Sequence, residues 1–593
     1  MQVAWGLLPL GVPLAIVLIL GMGALTLPRA DGFERLLAGG LLTTALIVVI
    51  VALLGALGVL TTPVLTATLV VSAVAVLLAV RARQSPWRLP WRVAVSRETA
   101  PLLLVAAVAL GLVVSAAYYL PVWQWDALLY HLPYVNLVLQ NGTFADVPPD
   151  VPFLSTYPHV VECAYIAWRA LLPDDRLIDL AQLPFGLLGT VAIATTAHHR
   201  GARPDHAVAA GAAWLTLPAV LLQLPTNYID GASAALLLTA VAFVLSPLNR
   251  TRVLLAAVAI GLFLGTKPQA PVGAAILLAV LTVLAVRAGL GAIVPIAWIA
   301  VAALGAHSYV VNVVQHANPI WPVHVDLGPL HLPGTMAMTD LLDAGGARQG
   351  NMFARLAESW STIVPPDRVF DMRIGGLGLI FLIALPFAAV RVVRSRSPVV
   401  ALCFVATLAT PEPSVARYVL AFAGLALAFA MPVIEHPRVR GGLRATVFGA
   451  LALAAAGNLV IAYSGLAGPG PALHHYVRMT HEQRQRAVSA SGAAAAYRDA
   501  IAHVGEGKVT VFDRYAEFPY MAWPFDLSRK AVFVPVDANY ATAERIVLAP
   551  NVAMLIVGDD SIAESVVRRH PEQFVPQFRC KEGWAPCTVY LRR

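Results

Sequence analysis

The chain has 593 residues, of which 59% are hydrophobic and only 12% charged, and its mean hydropathy is +0.73. Soluble domains carry about a quarter charged residues, so the composition excludes an ordinary soluble protein and predicts a polytopic α-helical membrane protein. The net charge of +8 implies no nucleic-acid partner, because the arginines scatter between apolar spans and form no continuous basic face.

Apolar runs of roughly 17–25 residues cross a bilayer as helices. The first such runs lie at 5–27, 36–60, 62–81 and 100–120. No basic residue precedes the first run and no small-residue cleavage site follows it, so it reads as a retained span rather than a signal peptide. Arginine placement orients the spans. The loops holding Arg29 to Arg35 and Arg81 to Arg97 face the cytoplasm if the N-terminus is outside, which delivers the segment after 120 to the external face.

A short helix at 158–172 is expected at the outer surface, followed by spans at 177–197, 207–225, 231–247, 252–267, 271–288 and 291–314. A long external loop, 315–372, precedes spans at 373–394, 397–411, 417–434 and 443–465. The basic residues Arg200, Arg203, Arg250, Arg252, Arg287, Arg391, Arg394, Arg396, Arg438, Arg440 and Arg444 then all fall inside. The sum is about fourteen helices with both termini outside. No internal repeat is visible, which counts against transporters built from inverted halves.

From about Ala472 the composition becomes polar and the apolar runs shorten to strand length: V-T-V-F-D, A-V-F-V-P, A-M-L-I-V-G and T-V-Y-L. Helical patterns at Thr542–Leu548 and Ile562–His570 separate some of them. This alternation predicts a small α/β domain with a partly parallel sheet. V-F-D-R-Y-A-E-F lacks the glycines of a nucleotide-binding fingerprint, so the domain reads as accessory. Three regions result: additional spans over 1–99, a membrane core over 100–465 with an external loop at 121–176, and the C-terminal domain over 472–593. Cys163 and Cys403 lie in apolar contexts, whereas Cys580 and Cys587 suit a disulfide in an extracytoplasmic domain.

The stretch from Val122 to Glu162 carries the densest chemistry. From W-D-A-L-L-Y-H-L-P onward, Leu128, Leu129, Leu132, Val135 and Val138 share one helical side, predicting an amphipathic helix lying on the membrane with Asp126 at its start. An ionised carboxylate at the edge of hydrocarbon is costly and normally has a functional partner. Asp126 therefore reads as a base for an acceptor hydroxyl, or more plainly as a helix N-cap. Asp146, Asp150, His159 and Glu162 lie further along the same stretch. Asn141-Gly-Thr matches a glycosylation acceptor but reads more simply as a turn.

Further external segments hold polar residues. Asp230 in L-P-T-N-Y-I-D reads as a second acid, a metal ligand or a cap. Lys267 in G-T-K-P, the only lysine before the C-terminal domain, suits a phosphate head group as a point charge, or snorkels to the interface. Arg417 and Tyr418 in T-P-E-P-S-V-A-R-Y suit bidentate phosphate binding or interfacial anchoring. His316, His324 and Asp326 lie in a proline- and aromatic-rich rim, and His324 with Asp326 could ligate a divalent cation.

Taken in order, W-D-A-L-L-Y-H-L-P, S-T-Y-P-H-V-V-E, G-T-K-P, N-P-I-W-P and A-R-Y resemble the GT-C superfamily of polyprenyl-phosphate-dependent glycosyltransferases. The resemblance covers 100–465 and lies with the bacterial branch that includes protein O-mannosyltransferases and aminoarabinose transferases. It implies that Asp126 is the catalytic acidic residue of the first loop and that Asp230 is an acidic residue near the active site. It also implies that Lys267 and Arg417 hold the donor phosphate. His131 joins Asp126 and Asp230 as a catalytic candidate, and Tyr130, Tyr157, His159, Glu162 and Tyr418 are candidates for substrate binding. The aminoarabinose-transferase pattern has an acidic-Lys-Pro-Pro stretch where this chain has Thr156-Tyr157-Pro158-His159, which argues against lipid A as acceptor and against a metal site at that point.

The expectation is thus a multi-pass plasma-membrane enzyme with its active site and C-terminal domain outside the cytoplasm. It would transfer one sugar, with inversion, from a polyprenyl-phosphate donor to a hydroxyl on a glycan, lipid or protein acceptor. No cofactor is required, and a divalent cation is compatible with the site. The competing expectation is a lipid-linked glycan polymerase, ligase or transporter.

Overall fold

The computed structural model describes residues 6–85, 87, 95–148, 153–337, 351–363, 376–436, 439, 441–468, 471–487, 500–502, 504–513, 518–535, 538–580 and 586–593. Asp150 falls outside them, as does most of the polar stretch between His481 and Val504. Every stretch predicted to span is helical over most of its length. Among the described residues nine helices are long and apolar enough to cross a membrane, or ten if the pair Gly291–Gly305 and His307–His316, bent by 70°, is one span.

The remaining predicted spans are shorter or broken. Asp230–Val244 and Arg250–Leu264 have 15 residues each and Pro398–Leu408 has 11. The run at 207–225 divides into Pro204–Leu215 and Pro218–Gln223. Pro218 has no N–H to give and disfavours helical backbone before it, so the break falls there.

Polar side chains tie one end of the bundle together. Asp31 accepts the Glu34 N–H as an N-cap (3.0 Å) and pairs with His199 Nε2 (3.0 Å). Glu34 pairs with Arg252, Glu98 with Arg444 (2.7 Å), and buried His206 with Glu435. The basic loops read as cytoplasmic therefore meet at a single end. His199 Nδ1 also lies 3.2 Å from Ser246 Oγ, just past Val244, so Asp230 opens the same helix at the other end. Fifteen residues separate the two ends by about 22 Å.

The predicted surface helix is present but does not lie on a surface. A π turn at Ala127–His131 runs into the helix Leu132–Asn141. Pro133 lacks the N–H that would bond the Leu129 carbonyl, which accounts for the widened turn. Leu128, Leu132, Val135 and Val138 are buried as expected, but so are Tyr134, Asn136 and Leu137 on the opposite side.

The C-terminal domain covers that second side. Trp125 packs edge-on against Phe518 at 4.7 Å, and Gln140 exchanges two hydrogen bonds with the Ala531 backbone (3.1 and 2.8 Å). Arg169 donates to Asn136 Oδ1 (3.2 Å) and to the Phe525 carbonyl while stacking on the Phe525 ring.

That domain holds a five-stranded sheet in the order Lys530–Phe533, Val509–Phe512, Val552–Gly558, Cys587–Arg592, Phe574–Cys580. The first three are parallel and the last two antiparallel, with Tyr540–Val547 and Ile562–Arg569 as helices between strands. Phe574–Cys580 was not predicted as a strand, because Pro576 interrupts its pattern; it pairs as an edge strand, where a missing donor is tolerated. Cys587 is disulfide-bonded and stands opposite Cys580 in the register, while Cys163 and Cys403 are free and buried.

Candidate active site

Three chain breaks bring four charges together. Asp126 precedes the π turn, Asp230 begins a buried helix after the Pro225 break, and Arg417 lies in a single 3-10 turn at Ala416–Val419. Lys267 follows the helix Arg250–Leu264, whose position is set by small residues. A Cβ at Gly305 would meet the Gly261 carbonyl oxygen at 2.2 Å, so the helices Arg250–Leu264 and Val294–Gly305 touch backbone to backbone across Gly261-Leu-Phe-Leu-Gly265. Tyr309 then donates its hydroxyl to the carbonyls of Leu264 (3.0 Å) and Lys267 (2.9 Å), fixing the turn that presents the ammonium.

Arg417 Nη1 donates to Asp126 Oδ2 at 3.4 Å and to Asp230 Oδ2 at 3.5 Å, and the other Asp230 oxygen pairs with Lys267. Tyr418 lies under both cations, with its ring centre 4.4 Å from Lys267 Nζ and 5.1 Å from the Arg417 guanidinium. Asp230 is buried, whereas the Asp126 side chain is 25% exposed and is the carboxylate open to a ligand. Asp126 makes no capping bond to its own helix, so the plainer N-cap reading is not realised. Beside the cluster, Asp230, Lys267, Arg417, Tyr418 and Phe263 line a small open cleft.

Tyr228 completes the arrangement and was missed in the sequence. Its hydroxyl accepts the Asp126 N–H (3.2 Å), its ring lies 5.1 Å from the Arg417 guanidinium, and its carbonyl accepts from Tyr165. The available signal was an aromatic residue within the same proline-bounded break as Asp230. Tyr130 and Tyr157 sit 5.9 Å apart, both close enough to feel the Asp126 charge. Burial, reinforced by that charge, pushes the Tyr130 hydroxyl well above its ordinary value, so it stays protonated as a donor.

His131, Glu162 and His159 form a separate buried layer. His131 Nδ1 bonds Glu162 Oε1 at 2.6 Å, His159 Nδ1 lies 3.8 Å from the same oxygen, and the His159 ring stacks on Tyr134 at 3.7 Å. Burial works against the Glu162 charge, but the two histidines outweigh it and hold the carboxyl at about 2. His131 is 2% exposed, so it supports the Asp126 turn from behind rather than facing the cleft. His324 and Asp326 stand on an exposed hairpin, bonded to each other and to His331, and not among the four charges.

No protein-family model and no curated relative matches the sequence. Solved structures do match in three dimensions, two of them of one protein. The apo crystal structure of ArnT from Cupriavidus metallidurans aligns over 84% of this chain and 98% of its own, at 13% identity and a TM-score of 0.53. The crystal structure of the same protein bound to undecaprenyl phosphate aligns over 83% and 98%, at 14% identity and a TM-score of 0.51. The chain shares the fold of ArnT. The likeness spans nearly the whole of ArnT. At such identity it speaks for architecture alone, and the chemistry has to come from the four charges.

Proposed function

We propose that the protein is a membrane glycosyltransferase that moves one sugar from a polyprenyl-phosphate donor to an acceptor hydroxyl. The observation that carries this is Arg417 standing between Asp126 and Asp230, with Lys267 on the far side and a cleft alongside. A phosphate leaving group needs cations where its charge develops, and an attacking hydroxyl needs a base within hydrogen-bond reach. Both are present within one cluster. The undecaprenyl phosphate bound to ArnT, whose fold this chain shares, supports a lipid phosphate of that class as the donor's leaving group.

In this reading Asp126 takes the proton of the acceptor hydroxyl as its oxygen bonds the anomeric carbon. The bond from that carbon to the phosphate oxygen breaks, its electron pair leaves with the lipid phosphate, and the configuration inverts. Lys267 and Arg417 neutralise the departing phosphate, and Tyr418 under both cations holds them in place. Asp230 is the positioning group, since it contacts both cations and is buried. The 3.4 Å bond between Arg417 and Asp126 is long for a charged pair and yields readily to substrate. The gathering of the basic loops at the opposite end of the bundle supports an extracytoplasmic site. In this reading the C-terminal domain, seated over the helix Leu132–Asn141, guides a glycan, lipid or protein acceptor.

The test is to incubate purified protein with a panel of polyprenyl-phosphate sugars and to follow loss of donor. Consumption of one donor by the native protein and not by Asp126→Asn supports the reading. No consumption of any panel member above the variant's level defeats it.

A further inference from the structure

The loop after the bent helix pair carries a compact group of metal-ligating side chains that the transfer chemistry does not use. Val323–Leu327 and Leu330–Leu332 form an antiparallel hairpin in which Asp326 stands directly opposite His331. His324 lies two residues before Asp326 and so projects from the same face of its strand. His324 Nε2 bonds one Asp326 oxygen at 2.6 Å and His331 Nδ1 bonds the other, and the three ligand atoms all lie within 4.8 Å of one another. The two imidazole rings meet edge to face at 5.2 Å.

The hairpin is held from below. Buried Asn318 donates to the Val323 carbonyl (2.7 Å) and the Pro333 carbonyl (2.7 Å), clamping the outer ends of both strands, while its own oxygen accepts the Ile320 N–H (2.9 Å). A Cβ at Gly334 would meet the His324 backbone nitrogen at 2.3 Å, so the return strand presses directly against the ligand-bearing one. The three side chains therefore spring from a braced backbone, which lowers the cost of gathering them around an ion.

We propose that His324, Asp326 and His331 bind a divalent transition-metal ion of the zinc class. Two imidazoles and one carboxylate are a ligand set that suits zinc or a neighbouring first-row metal, and calcium or magnesium would require more oxygens. Three protein ligands leave a fourth position for water or an anionic oxygen. The ion would displace the two His–Asp hydrogen bonds, each imidazole turning a bare nitrogen to the metal and keeping its proton on the other nitrogen.

The experiment uses the full chain in detergent, stripped with a chelator and dialysed against Zn²⁺, with bound metal measured by elemental analysis and Co²⁺ used as an absorbing substitute. The native protein is expected to retain one equivalent and to show Co²⁺ absorption bands that His331→Ala lacks. Removing a ligand should weaken binding by more than the ~10–100-fold that attends loss of a supporting residue. Asp326→Asn, which preserves shape, serves if the alanine variant fails to fold. His199→Ala removes a histidine from the other cluster, Asp31 with Glu34 and His199, and should leave the stoichiometry unchanged. Equal metal retention by the native protein and both hairpin variants would overturn the assignment, as would loss of the ion in His199→Ala alone. Neither outcome depends on transfer activity.

Discussion

Arg417 reaches Asp126 across 291 positions of sequence through Nη1 at 3.4 Å, and the same nitrogen reaches Asp230 at 3.5 Å. A single guanidinium nitrogen thus links the exposed carboxylate to the buried one. The arrangement makes unequal demands on the two acids, and this inequality can be measured.

Asp126→Asn should abolish transfer while sparing the fold. The side chain caps no helix and is partly exposed, so its removal leaves no buried group unpaired. General-base loss costs about 10²–10⁴ in rate. Turnover of the donor should fall by that order, with the thermal unfolding midpoint in detergent unchanged; a variant with native turnover removes Asp126 from the mechanism.

Asp230 and Lys267 should behave oppositely. Each is buried against the other, and stripping one partner from a buried pair costs about 3–5 kcal/mol. Asp230→Ala and Lys267→Met should each destabilise strongly, and the double variant by much less than their sum. A coupling of about 1–3 kcal/mol in a double-mutant cycle is expected; strict additivity would show that the pair is not formed.

Arg417→Lys should not be conservative. A lysine has no second nitrogen to offer a phosphate while the first meets both carboxylates. Loss of such an electrostatic contact is expected to lower the transfer rate by roughly 10², with retained expression. Rates within a factor of two of native would mean that the guanidinium geometry is not used.

Glu162 provides a pH test whose direction is set by its depressed carboxyl. Its ordinary value of 4.5 is lowered to about 2 by His131 and His159 against the opposing effect of burial. Stability from this group is therefore fully present above pH 4.5 and is lost as pH falls from there toward 2. Native protein should lose thermal stability over that window faster than Glu162→Gln, which has no carboxylate to protonate. Parallel curves would show that the carboxyl is not depressed.

Arg169→Ala should loosen the C-terminal domain from the helix Leu132–Asn141. The variant loses the bond to Asn136, the bond to the Phe525 carbonyl and the stacking on the Phe525 ring. Amide exchange of residues 132–141 and cleavage between the membrane bundle and the domain should both accelerate. An unchanged exchange pattern would place the docking energy elsewhere, chiefly in Gln140 and Trp125.

Composition and period alone determined that the chain is a helical membrane protein, because burial in lipid demands long apolar runs and leaves few alternatives for the backbone. They also located Asp126, Asp230, Lys267 and Arg417, since charges at span ends are rare enough to stand out. The partners were decided only by the tertiary structure. The helix after Asp126 has an apolar side and a half-polar one, and nothing local says that a domain 391 residues later will cover the latter through Gln140 and Ala531. Tyr228 offered no charge to notice, and its place beneath Arg417 depends on where the Pro225 break turns. His331 joined His324 and Asp326 only through strand register. Period reports which side of an element is buried; which other element buries it is set by packing over distances that no local pattern encodes.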